Sequence, residues 1–393
     1  MRIDRRTLLK LLPASFLPLS QKAVIPFRGK ERSRARDLGI RIGTMQPGKW
    51  NAITDVPGVR VGHTTLIEGS SVRTGVTCIW PHDNIFQEYL PFGFHALNGN
   101  GEVTGLTQAN SLGVVGSPLC LTNTSSVGMV YDAMLTHFPE SRHPRLVPVV
   151  GETWDAFLND IEGRHVHTRH VAAALQTAKP GPVEEGNVGG GTGMICYQFK
   201  GGIGTASRKL PSPWEQFTVG VLVQANHGKR EHLRIDGVPV GEEVLDLQPE
   251  PDEASFMNSI LIVIATNAPL LDYQLNRIAR RGGMGLSKTG SIASNSSGDF
   301  ILAFSTANRI PAQDFWNGKP YRLQSIEQFE IQPLFQAASE ATEEAIVNAL
   351  FMANDMGGRD GHKVFALPID RVLRIMERHH RLFLNREQKV AAI

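Results

Sequence analysis

Between residues 289 and 299 the chain reads Thr289-Gly290-Ser291-Ile292-Ala293-Ser294-Asn295-Ser296-Ser297-Gly298-Asp299. Small residues let a backbone adopt strained conformations and let other groups approach it closely. A serine hydroxyl in such a segment can attack the carbonyl carbon of the preceding residue. The resulting ester hydrolyses and leaves that serine as a new N-terminus. Its freed α-amine, with an ordinary pKa of about 7.7–8.0, can then act as base for the same serine's hydroxyl. By composition alone the stretch reads as a Ser/Gly/Asn loop, which such clusters usually mark. Spacing does not choose between these readings.

Other chemistry-bearing positions are sparser. Asn226 and Asn267 each follow an apolar run, where a side-chain amide could donate to a developing oxyanion or simply close a turn. The glycine-rich Gly189-Gly190-Gly191-Thr192-Gly193 lacks both the GxxxxGK[ST] and the dinucleotide-binding patterns, so it reads as a turn that shapes a pocket. No HExxH spacing suggests zinc, and no GxSxG elbow supports a Ser-His-Asp triad. Cys78, Cys120 and Cys196 are an odd number without CxxC spacing and read as buried free thiols.

The elements that must hold these residues are visible as apolar runs. Phe217–Val223 leads into Gln224-Ala225-Asn226, Ile260–Ala265 into Thr266-Asn267, and Phe300–Phe304 into Ser305. Runs of five to seven rich in β-branched and aromatic residues suit strands buried on both faces. Val59–Thr64 follows the Pro57-Gly58 turn signal and reads as a further strand. Leu271, Leu275, Ile278 and Ala279 mark one face of a helix expected to end near Gly282-Gly283. Ala338, Ala341, Ala345, Ala349 and Met352 form a small-residue stripe on a second helix, and a third covers Asp370–Leu382. Stacked sheets enclosed by helices fit this order.

The 393 residues suffice for one large domain. A formal charge of +2 gives no reason to expect nucleic acid as a partner. Arg5-Arg6-Thr7-Leu8-Leu9-Lys10 resembles a twin-arginine export signal, with Leu11–Leu19 as an apolar stretch too short to span a bilayer. A periplasmic protein is expected, with a cytoplasmic one as the alternative. Residues 20–38 are polar and basic, so 1–38 reads as signal and linker and 39–393 as the folded body.

The order of many short segments carries a resemblance. Asn51-Ala52-Ile53-Thr54-Asp55-Val56-Pro57-Gly58-Val59-Arg60-Val61-Gly62-His63 is followed by Leu121-Thr122-Asn123-Thr124, Glu185-Gly186-Asn187-Val188-Gly189, and Gly191-Thr192-Gly193-Met194. Then come Phe199-Lys200-Gly201-Gly202-Ile203-Gly204-Thr205, Val223-Gln224-Ala225-Asn226, Thr266-Asn267-Ala268-Pro269-Leu270, Ser297-Gly298-Asp299 and Ala341-Thr342-Glu343-Glu344-Ala345. From about Arg36 to Arg371 the chain resembles the DmpA/BapA family of self-processing aminopeptidases, peptidase family S58. That resemblance implies an α+β fold, a four-layer αββα sandwich like that of N-terminal-nucleophile hydrolases. It also implies a chain split into an α part ending at Ser296 and a β part from Ser297, oligomers of such αβ units, and no metal or organic cofactor.

By the same resemblance Ser297 is the nucleophile, since it precedes Gly298-Asp299. Ser296 stands where the family commonly has Gly or Asn, and cleavage one residue earlier would make Ser296 the nucleophile. Asn267, Asn226 and Tyr197 are the expected oxyanion donors, and Thr342 with Glu344 the pair that orients the serine and its amine. An aminopeptidase must recognise a free ammonium, so it needs a carboxylate; Glu185 is the first choice and Glu344 the second. The expected activity is removal of N-terminal residues from peptides, amides or esters with a free amine. The rivals are an acyltransferase on the same architecture and a non-catalytic exported binding protein.

Overall fold

The computed structural model describes residues 32–138, 146–249 and 258–383. The twin-arginine-like segment lies outside the described residues, as does the linker up to residue 31.

The apolar runs form the strands expected of them. We number the principal strands β1 (Arg60–Glu68), β2 (Val72–Trp80), β3 (Glu88–Gly99), β4 (Leu119–Asn123), β5 (Val149–Thr153), β6 (Gly202–Lys209), β7 (Thr218–Asn226), β8 (Ser259–Thr266), β9 (Gly298–Ser305) and β10 (Ile310–Pro311). The principal helices are α1 (Val127–His137), α2 (Thr168–Gln176), α3 (Asp272–Lys288), α4 (Gln332–Met352) and α5 (Ile369–Arg378). One sheet has the order β1-β2-β4-β5. The other runs β10-β3-β9-β8-β7-β6, and the short strand Val114–Val115 also pairs with β3.

Every residue of β7, β8 and β9 is buried, because side chains alternate between two covered faces. Ile260, Ile262 and Ile264 pack beneath α3 and α4 with Val221, Val223 and Ile301. Leu261, Val263 and Ala265 point the other way and meet Leu119, Leu121 and Val149 of the first sheet. Beyond that sheet Val76, Cys78 and Val150 pack on Val130 and Ala133 of α1 and Val171 and Ala174 of α2. The order helix, sheet, sheet, helix gives four layers, as the sequence led us to expect. All three thiols are buried and free.

Two expectations are corrected. The helix placed to end at Gly282-Gly283 continues to Lys288. Those glycines are not a cap but a close-packing face: a Cβ at Gly282 would lie 2.9 Å from Ile301 Cγ2, and one at Gly285 2.5 Å from the Ser339 carbonyl oxygen. The body also begins before residue 39. Arg32 Nε donates to the Phe351 carbonyl at 2.8 Å, and Ala35 is fully buried. Basic residues read as linker are spent on carbonyls and carboxylates of the core instead.

Parallel pairing of β8 and β9, bridged by α3, sets both N-terminal ends at one edge of the molecule. β7 is antiparallel to β8, so its C-terminal end arrives there too. On the opposite side of this sheet α4 lies directly on β6, where a Cβ at Gly204 would run into the Ala345 carbonyl oxygen. We therefore expect Gly204→Ala to destabilise the fold by about 1–3 kcal/mol through overpacking. Urea denaturation checks this, and an unchanged midpoint contradicts the close approach.

Candidate active site

Ser297 stands immediately before β9 and is buried. Its N–H donates to the Ser294 carbonyl at 2.8 Å, which folds residues 294–297 into a turn, and Gly298 N–H donates to the Asn258 carbonyl at 3.2 Å. From there the period-two alternation of a strand puts residues 297 and 299 on one face. The Ser297 hydroxyl accordingly donates to Asp299 Oδ1 at 2.5 Å. Gly298 between them admits no side chain, since a Cβ there would sit 2.6 Å from the Asn100 carbonyl oxygen. Burial pushes the Asp299 carboxyl up to about 6, with the Ser297 hydrogen bond acting the other way. Its Oδ2 is buried without a hydrogen-bond partner among the described residues.

The end of β3 faces this triplet in antiparallel register, Gly99 opposite Gly298 and Asn98 opposite Asp299. Asn98 and Asn100 flank Gly99 as Ser297 and Asp299 flank Gly298. Asn100 Nδ2 donates to the Ser296 carbonyl at 2.8 Å. Asn98 Nδ2 donates to the carbonyls of Ser294 (3.1 Å), Asn295 (3.2 Å) and Ser297. Four successive carbonyls are thus gripped by two side-chain amides from one neighbouring strand.

A small cavity opens beside Ser297, lined by His227, Lys229, His232, Asn258, Ile292 and Ser294 among others. Asn258 spans it: its amide donates to Ser294 Oγ at 3.2 Å and its Oδ1 accepts from Gly228 N–H at 3.0 Å. Tyr197 packs behind His227, with its backbone in the left-handed region at φ 51° and its ring edge-on to that histidine. Its hydroxyl shares a 2.7 Å hydrogen bond with Thr289 Oγ1. Burial holds that hydroxyl protonated, well above the usual tyrosine range. Burial also draws His227 down to about 3, so its ring is neutral.

The structure brings Ser297, Ser296, Tyr197 and Asn226 to one end of the sheet and separates the rest. Asn226 closes β7 opposite Ser259, but its Oδ1 accepts from Ile195 N–H and its amide donates to the Trp154 carbonyl. Asn267 lies beyond the far end of β8, and eight paired residues separate it from Ser297. At the usual strand rise those nine steps are roughly 30 Å. Its side chain instead ties Thr218 N–H and the Gln216 carbonyl, so it joins a turn and cannot reach an oxyanion at Ser297.

Glu185 does not stand open for an ammonium either. Its Oε2 pairs with Arg34 at 2.7 Å, and Oε1 accepts from Arg34 and from Thr205 N–H. Thr342 donates to the Ala338 carbonyl within α4. Glu344 meets Arg208 and Arg36, each at 2.6 Å, and Asn51 at 2.6 Å. Among the described residues neither Thr342 nor Glu344 hydrogen-bonds or ion-pairs with Ser297 or Asp299. Burial opposes ionisation of Glu344, yet Arg208 and Arg36 outweigh it and hold the carboxyl below its ordinary value.

Four residues at the site escaped the sequence reading: Asp299, Asn98, Asn100 and Asn258. A signal existed for the first three. The tripeptides Asn98-Gly99-Asn100 and Ser297-Gly298-Asp299 both place polar side chains at i and i+2 around a glycine, the pattern two paired strands need to converge them on one face.

A four-layer αββα body with a serine at the head of a central strand defines an N-terminal-nucleophile type of hydrolase fold. Comparison with known proteins agrees. Residues 51–364 match peptidase family S58, and the chain belongs to that family. It is a hydrolase of the aminopeptidase class. It is 46% identical over 372 residues to the β-peptidyl aminopeptidase BapA of Sphingosinicella xenopeptidilytica, covering 88% of this chain and 91% of that one. Among solved structures, a Burkholderia sp. β-aminopeptidase aligns with TM-score 0.83 and 48% identity over 88% of this chain and 99% of its own. An L-aminopeptidase D-Ala-esterase/amidase from Ochrobactrum anthropi, described as a variant of the Ntn-hydrolase fold, aligns with TM-score 0.82 and 41% identity over 89% and 99%.

Arg208 is fully buried between Glu340 and Glu344. Removing it leaves the buried Glu340 carboxylate without its ion pair and Glu344 with Arg36 alone, so Arg208→Met should lose about 3–5 kcal/mol near neutral pH. Both glutamates are held below their ordinary value in the fold. The stability they contribute is present above the unfolded pKa of about 4.3 and lost as pH falls through the lower folded value. The deficit of the variant should therefore shrink in acid. Urea midpoints for both proteins across that range test it, and a deficit independent of pH contradicts it.

Proposed function

We propose that the chain is a precursor that cleaves itself before Ser297 and then releases N-terminal residues through the serine so exposed. The observation that carries this is Ser297 at the head of β9, its hydroxyl against a buried carboxylate and the carbonyl before it gripped by Asn100, in a chain of peptidase family S58. The substrate class is a peptide, amide or ester with a free N-terminal amine. Relatives at 46% and 48% identity are named a β-peptidyl aminopeptidase and a β-aminopeptidase, which supports an N-terminal β-amino acid residue.

In this reading Ser297 Oγ attacks the carbonyl of the substrate's first residue while the α-amine of Ser297 takes the hydroxyl proton and passes it to the leaving amine. Water then hydrolyses the ester by the same route in reverse. The amide of Asn258, which holds Ser294 in the uncut chain, becomes free for the substrate oxyanion once the 291–296 segment withdraws. The protonated hydroxyl of Tyr197 is the second donor at this end of the sheet. Glu344 and Glu185 serve by fixing the arginines that brace α4 and β6 rather than by touching substrate. Export through the twin-arginine-like signal, and assembly of αβ units into a homo-oligomer, belong to the same proposal.

Hydrolysis of a β-amino acid p-nitroanilide, free and N-acetylated, tests the activity. The free amine should be turned over, the acetylated compound should not, and Ser297→Ala should lose at least about 10³-fold in rate. Equal rates on both compounds would sink the aminopeptidase reading.

A further inference from the structure

The uncut chain lacks the base that the mature enzyme would use. Before cleavage the nitrogen of Ser297 is a peptide nitrogen, its lone pair delocalised and its N–H donated to Ser294. Some other group must take the hydroxyl proton in the first step.

We propose that Asp299 is the general base of self-cleavage and that Asn100 is the donor that stabilises its oxyanion. The inference rests on the self-cleaving reading above and adds the machinery of the precursor to it.

Two geometric facts carry it. Asp299 Oδ1 is already at 2.5 Å from the Ser297 hydroxyl oxygen, the reach a proton acceptor needs. Its second oxygen is buried with no partner among the described residues, so no other hydrogen bond drains its basicity through that atom. Separately, Asn100 Nδ2 lies 2.8 Å from the oxygen of Ser296, the very carbonyl that attack by Ser297 would convert to an alkoxide. Both contacts follow from one feature of the fold, the register of Gly298 against Gly99. Burial of Asp299 keeps its proton affinity above that of an ordinary carboxylate, which suits a base.

The step balances as follows. Ser297 Oγ–H gives its proton to Asp299 Oδ1 as Oγ bonds to the Ser296 carbonyl carbon. Negative charge moves to the Ser296 oxygen, where Asn100 donates to it. The C–N bond to Ser297 breaks, and Asp299 returns the proton to the departing nitrogen, which becomes the α-amine. Water adds to the resulting ester carbon, the C–Oγ bond breaks, and Oγ recovers a proton. The products are a carboxyl group on Ser296 and a free serine N-terminus at 297. No oxidant, metal or co-substrate other than water enters.

The test follows cleavage of the full-length chain over time after cell-free synthesis, by gel and by mass of the fragment starting at Ser297, for wild type, Asp299→Asn, Asp299→Glu, Asn100→Ala and Ser297→Ala. General-base removal and loss of one oxyanion donor each cost about 10²–10³-fold or more. Asp299→Asn, which keeps shape and polarity but not basicity, and Asn100→Ala should each slow cleavage by about 100-fold or more, while Asp299→Glu, which keeps the carboxylate, should recover much of the rate. Thermal midpoints establish folding; if Asp299→Asn does not fold, the Asn100→Ala and Asp299→Glu rates decide. Wild type that never cleaves before Ser297 overturns the underlying reading. Wild type that cleaves, with folded Asp299→Asn and Asn100→Ala keeping pace, overturns this inference alone.

Discussion

The site depends on one backbone pairing, Gly298 of β9 against Gly99 at the end of β3. Gly298 carries no side chain, so the chain can close where a Cβ there would strike the Asn100 carbonyl oxygen; a Cβ at Gly99 would point into open space. The residues on either side are then forced to converge. Ser297 and Asp299 meet on one face of β9, and Asn98 and Asn100 reach across from β3 to the carbonyls of the preceding turn. A serine, a carboxylate and two amides are set by strand register, not by a flexible loop, and strand register is the more rigid support.

The rest of the molecule keeps that register from slipping. A one-residue shift of β9 would turn Ile301 and Ala303 away from α3 and α4 and expose the opposite face to the wrong core. Burial on both faces makes such a shift prohibitive. On the helical side, Glu340 and Glu344 of α4 clamp Arg208 of β6 and reach Arg36 and Met45 of the N-terminal strap. These ions are buried and mutually paired, an arrangement weak as net stabilisation yet costly to break on one side. It ties residues 32–45, β6 and α4 into one unit.

Much of this was legible in the sequence. The runs 217–223, 260–265 and 300–304 are dense in β-branched and aromatic residues, and each became a wholly buried strand. The alanine stripe from Ala338 to Met352 became α4. What the sequence hid was direction. Asn267 and Asn258 bracket the same strand, and composition cannot tell which end meets Ser297. Parallel pairing of β8 with β9 decides it, because the two strands begin together; the residue leading into β8 lies at the site and the one leaving it does not. Glu185 misled for a related reason. A carboxylate beside a glycine-rich turn looks available until Arg34, remote in sequence and assigned to a linker, folds onto it. Asn98 and Asn100 stand some two hundred residues before Ser297, linked to it only through the sheet.

The central claim is that this arrangement breaks its own chain at one bond. The most direct measurement is the intact mass and N-terminal sequence of the purified wild-type protein. The account predicts two associated polypeptides, the smaller beginning Ser297-Gly298-Asp299. A single uncut chain, or a smaller fragment beginning at Ser296 or elsewhere, would contradict it.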